Sequence, residues 1–168
     1  MPLLFRGISL GRWDWQEGDI PWLPVGELPA APLRDLNTSP QSQLSVWHID
    51  DNKANLGLVV AGIASKRQNP DPYDYALFDE ILLTDAGIRL EITPGDSYDQ
   101  GANTEWHREL FELTASKVVA LVRLIYLHGE LDRIQENDVT ALIQKSVGAG
   151  RLEKGRLNEN LRKAVYGA

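Results

Sequence analysis

Two of the three histidines in this chain directly follow a tryptophan: His48 in SVWHIDD and His107 in NTEWHREL. Imidazole changes charge near neutral pH and is a frequent metal ligand. His48 and His107, with the nearby Asp50 and Asp51, are therefore the first candidates for proton transfer or metal-assisted hydrolysis. Spacing argues against a dense metal site. There is no His-Glu-x-x-His pattern and no cysteine, and the position four residues after His107 is Phe111. A hydrolase reading would need the fold to bring His107 to His48 and Asp50. No metal and no cofactor is expected, and Asp50 and Asp51 serve more simply as N-caps of a following helix.

Other catalytic patterns are thinner. The acids of NPDPYDYALFDE, followed by LEIT, resemble the acid and Glu-x-Lys layout of metal-dependent nucleases. Here Glu91 is followed two positions on by Thr93, so the lysine that would steady phosphate charge is missing. The chain has no Gly-x-Ser-x-Gly elbow, no phosphate-binding Gly-x-x-x-x-Gly-Lys loop and no Gly-x-Gly-x-x-Gly. VGAGRLEKG has glycines, but it joins two helical patterns and does not follow a strand.

Charge narrows the partners. Residues 144–168 hold six basic and two acidic side chains, or +4, so the net charge of −7 leaves −11 on the first 143 residues. Such a body repels nucleic acid. A nucleic-acid-binding regulator would have to use the C-terminal helices, with Arg156, Arg162 and Lys163 as its contacts. The intact chain is expected not to bind duplex DNA.

The elements that position these residues follow from periodicity. Residues 1–43 hold six of the nine prolines and three of the five tryptophans, Trp13, Trp15 and Trp22. Proline spacing excludes long helices and central strands, so this stretch reads as an irregular arm, and its tryptophans as a partner-binding surface. LSVWHI at 44–49 and IRLEIT at 88–93 alternate as strands, while 51–67 and YDYALFDEILLTDAG carry helical spacing. From Thr104 to His128 one helix is predicted, ending at Gly129. Its apolar face carries His107, Leu110, Val118, Leu121 and Ile125, so His107 reads first as a packed core residue. Two shorter helices follow.

The expected fold is α+β: a small sheet against a long central helix, with a C-terminal helical pair and an irregular Trp/Pro-rich arm. A length of 168 residues suits one domain over 1–168, in three parts at 1–43, 44–100 and 101–168. The N-terminus has an arginine within its apolar run and no cleavage signature, and no run spans a bilayer. A cytoplasmic location and no membrane partner are expected. The function these features suggest is a non-catalytic protein-interaction role, as an inhibitor, immunity-type or adaptor protein that presents acidic and aromatic surface to a protein partner.

Overall fold

The structure, a computed structural model, describes residues 2–13 and 30–167. Its architecture is α+β. Six strands form one antiparallel sheet: β1 (Leu3–Gly7), β2 (Leu44–Ile49), β3 (Tyr73–Asp79), β4 (Arg89–Ile92), β5 (His107–Phe111) and β6 (Glu130–Ile134), in the order β4-β5-β2-β1-β3-β6. The helices are α1 (Ala30–Asp35), α2 (Leu56–Ala64), α3 (Ile81–Asp85), α4 (Gln100–Glu105), α5 (Ala115–His128), α6 (Glu136–Gly148) and α7 (Glu159–Tyr166).

Both faces of the sheet are covered. On one, Leu4, Leu44, Val46, Ala76, Phe78 and Leu110 meet residues of α1, α3 and α5. On the other, Phe5, Trp47, Ile49, Tyr73, Tyr75 and Leu77 meet α2, α4, α6 and α7. Because side chains alternate along a strand, the sheet separates two apolar clusters. Burial on both faces also accounts for the long apolar runs of its inner strands.

That double burial overturns several local expectations. The helix predicted from YDYALFDE is strand β3, followed by the short α3. Tyr73, Tyr75 and Leu77 serve one cluster while Ala76 and Phe78 serve the other, so its apolar residues are continuous and mimic a helix. The single helix predicted over 104–128 is α4, β5 and α5. Glu112 breaks it with a φ of +53°, and the hydroxyl of Thr114 caps α5 by accepting from the Lys117 amide. Within the expected irregular arm, residues 3–7 are β1, which lies between β2 and β3. Its only proline neighbour, Pro2, precedes the strand and takes no ladder donor away. Strand β6 has no clear sequence signal, since three of the five residues of ELDRI are charged and it carries little alternation.

The helix expected at 51–67 is confined to 56–64, and Asp50 and Asp51 do not cap it. The turn is organised by Asn55, whose side chain accepts from the Asp50 amide and donates to the His48 carbonyl. The two C-terminal helices form as expected, with Leu161 and Val165 of α7 buried in the second cluster.

Candidate functional site

Strands β1 and β2 pair only as far as Phe5 and Trp47. Beyond that point β1 stays with β3, through Arg6 and Gly7, while β2 stays with β5, through Val46, Ser45 and Leu44. The sheet is therefore split at its centre, and a cleft of about 470 Å³ opens at the split. Splitting a ladder leaves backbone carbonyls without strand partners, a cost that has to be met locally.

Arg6 meets it. Its Nη1 donates to the Ser45 carbonyl at 2.9 Å, and its Nε and Nη2 donate to the Asp35 carbonyl at 3.2 and 2.8 Å. A rigid fork of donors is what bridges two separated acceptors. These partners are neutral, and burial is the main influence on the guanidinium, lowering its pKa against the opposing pull of Tyr73 and Asp35. The Asp35 carboxylate is otherwise engaged: it accepts from Arg12, the Ser9 amide and the Trp13 indole.

Two more guanidiniums line the same cleft, those of Arg34 and Arg67. Arg67 lies over the Tyr73 ring, 4.1 Å from its centroid, a cation–π geometry that holds a guanidinium in place. The Tyr73 hydroxyl stands where a Cβ on Gly7 would sit, 2.7 Å away, so glycine there is a requirement of close approach. Burial raises the Tyr73 pKa, keeping the phenol protonated and able to donate.

His107 completes the wall. It is 4% exposed, and its ring meets Trp47 edge-on with centroids 4.9 Å apart. Nδ1 lies 3.0 Å from the Thr93 hydroxyl and 3.1 Å from the Thr93 carbonyl. The Thr93 carbonyl can only accept and its hydroxyl can do either, so the tautomer that satisfies both contacts carries the proton on Nδ1 and the lone pair on Nε2. Burial lowers the His107 pKa, outweighing the Thr93 bond and Glu109, which act to raise it. The imidazole is a neutral acceptor beside three cationic donors.

The structure separates the residues that the hydrolase reading would have joined. Trp47 pairs with His107 in the ladder, so His48, the next residue along β2, points to the opposite face. His48 lines a different depression, with Glu80, Leu90 and Arg108. Its Nε2 is 3.8 Å from Asp50 Oδ1, and His107 is on the far side of the sheet. Among the described residues no group of three or more histidines or acids is arranged to hold a metal ion. Two acids of the nuclease-like pattern are in structural pairs, Asp74 with Arg133 and Glu91 with Arg89.

Trp13 is 3% exposed and donates to Asp35, so its ring is core and not a partner-binding surface. Trp15 and Trp22 lie outside the described residues. At the C-terminal end Lys163 pairs with Glu159 on its own helix, and Arg156 lies over the Tyr98 ring at 4.9 Å. Arg162 lines a shallow basic depression with Lys154 and Tyr166. Among the described residues no helix is long and apolar enough to cross a membrane.

Arg6, Arg34, Arg67 and Tyr73 were not singled out by the sequence. One signal was present: an arginine followed by glycine interrupts the apolar run LLFRGI, and a charge inside a buried strand requires a special partner. Comparison of the chain with protein-family models, with curated proteins and with solved structures finds no match.

Proposed function

We propose that this protein is a non-catalytic binding protein whose split-sheet cleft takes a small anion. The observation that carries the reading is the state of its arginines. Arg12, Arg89, Arg133 and Arg151 each pair with a carboxylate. Among the described residues, Arg6, Arg34, Arg67, Arg108, Arg156 and Arg162 show no carboxylate pair, and of these Arg6, Arg34 and Arg67 share one cavity, although the chain carries 24 acidic residues against 17 basic ones. Three guanidiniums with no carboxylate pair of their own line one cavity, whose acids Asp35 and Asp96 are paired with Arg12 and Lys66, and guanidinium forks favour carboxylate and phosphate. Calorimetric titration with phosphate, sulfate and organic phosphates tests this. Binding should weaken about tenfold or more in Arg34→Ala and Arg67→Ala, as expected for a lost charge-assisted bond. The absence of millimolar or tighter binding by any of these anions would refute it.

A second reading, the protein-interaction role, draws support from the sheet edge. Ile92 on the outer strand β4 is 72% exposed, and Ile81 is 57% exposed. An open edge and exposed isoleucines suit strand addition by a partner, with Glu80 nearby to favour a basic segment. Copurification from native lysate should return a basic protein that Ile92→Lys no longer captures. Equal capture by that variant would remove this surface from consideration.

A further inference from the structure

We propose that the anion held by the cleft is the phosphate of a nucleotide-sized organic phosphomonoester, whose body donates a hydrogen bond to Nε2 of His107. This rests on the anion-binding reading and specifies its ligand.

Charge comes first. Among the described residues, the two acids that line the cleft are already engaged, Asp35 by Arg12 and Asp96 by Lys66 at 2.6 Å, which leaves the guanidiniums of Arg6, Arg34 and Arg67 as the described charges there without an ion-pair partner. A phosphomonoester carries about −1.5 to −2 at neutral pH and presents three acceptor oxygens. It therefore matches several separated forks better than a monocarboxylate, whose single charge is satisfied by one.

Size and wall chemistry come second. A cavity of about 470 Å³ falls within the range that encloses a drug-sized organic ligand and is far too large for a phosphate ion alone. Part of its remaining wall is apolar, formed by Phe5, Ile8, Trp47 and Ile63, beside the polar Ser45 and Tyr73. Those side chains offer nothing to a free inorganic anion, but they would shield a ring or sugar body from water.

The third element is the acceptor. His107 faces this cleft with its Nδ1 held by Thr93. A lone pair on Nε2 repels a bare anionic oxygen and rewards an N–H or O–H donor. Sulfate and carboxylates offer no such group and hydrogenphosphate only the hydroxyl of the anion itself, whereas a phosphorylated sugar or nucleoside carries several on the body away from the phosphate. The cleft thus joins donors for a dianion to an acceptor for the body that bears it.

The test is calorimetric titration of the full-length protein with the four common nucleoside 5′-monophosphates, ribose 5-phosphate, the unphosphorylated nucleosides, inorganic phosphate and benzoate. At least one phosphomonoester should bind at least tenfold more tightly than inorganic phosphate, benzoate and its own dephosphorylated form. Preference for a nucleotide or for ribose 5-phosphate identifies the body. His107→Asn retains a donor toward Thr93 and deletes the Nε2 acceptor. It should bring the ratio of phosphomonoester affinity to inorganic-phosphate affinity down toward one. Arg34→Ala, at an exposed helical position, should weaken both. If inorganic phosphate or benzoate binds as tightly as every phosphomonoester, or if His107→Asn leaves the preference intact in a folded protein, the ligand assignment fails while the anion site stands. If no anion in the panel binds, both fail together.

Discussion

At the scale of single residues, the chemistry of the cleft comes from groups held in one protonation state by burial. His107 is the clearest case. Its pKa is lowered from 6.5 by burial, so the unfolded chain takes up a proton at a pH where the folded chain does not. Stability linked to His107 is therefore fully present above about pH 6.5 and declines as pH falls toward the lowered folded value. Denaturant midpoints measured from roughly pH 8 to pH 5 should show this decline, and His107→Asn should flatten it. The same variant should cost about 1 to 3 kcal/mol at neutral pH through lost packing against Trp47. An unchanged slope in the variant would assign the pH dependence to other groups.

At the scale of elements, the split between β1 and β2 depends on a residue with no side chain. A methyl on Gly7 would meet the Tyr73 hydroxyl at 2.7 Å, and that ring also packs against Phe5 and under Arg67. Gly7→Ala should destabilise the fold by about 1 to 3 kcal/mol and displace Tyr73, weakening anion binding as well. Thermal melting together with phosphate titration would show both losses. A variant that melted like the parent and still bound anion would show that Tyr73 moves aside freely.

A second element-level dependence ties the C-terminal segment to α4 and the loop before it. Asp99 is 2% exposed and receives Arg151 Nε and Nη2 at 2.6 and 2.9 Å. Its Oδ1 also caps α4 through the Ala102 amide. Arg151→Met leaves a buried carboxylate without its cation, which typically costs about 3 kcal/mol or more. The loss should be steepest in hydrogen-exchange protection of α4 and of the turn following α6. Uniform protection in the variant would count against this coupling.

Over the whole molecule, the alkaline limit of stability should be set by buried tyrosines on the covered sheet. Tyr75 is pushed up to about 12, first by burial and then by the charge and hydrogen bond of Asp132, and burial raises Tyr73 as well. The unfolded chain loses these protons near pH 10 while the folded chain keeps them. Stability is therefore present below pH 10 and falls as pH rises toward 12. An absorbance titration should show tyrosinate forming later in native than in denatured protein, and Asp132→Asn should advance the Tyr75 step. Coincident native and denatured titrations would contradict the burial of both rings.

What the sequence by itself determined was local and additive. Alternation placed β2 and β4, helical spacing and glycine placed α6, α7 and the end of α5, and the mixture of strand and helix patterns placed the chain in the α+β class. Those signals survive because each depends on residues close in sequence. The sequence also placed His107 among packed residues, and the structure finds it buried beside Trp47. Tertiary structure decided the rest. YDYALFD is a strand because a sheet covered on both faces accepts apolar residues at every position, which removes the alternation that identifies strands. Segment 104–128 divides because Glu112 turns the chain so that HRELF can join β2. The cleft was illegible for the same reason. Arg6, Arg34, Arg67, Tyr73 and His107 belong to five separate segments, and only the parting of β1 from β2 gives them a common wall. His48 and His107 look like a pair in sequence, yet strand pairing sends them to opposite faces, because neighbouring residues on a strand point in opposite directions.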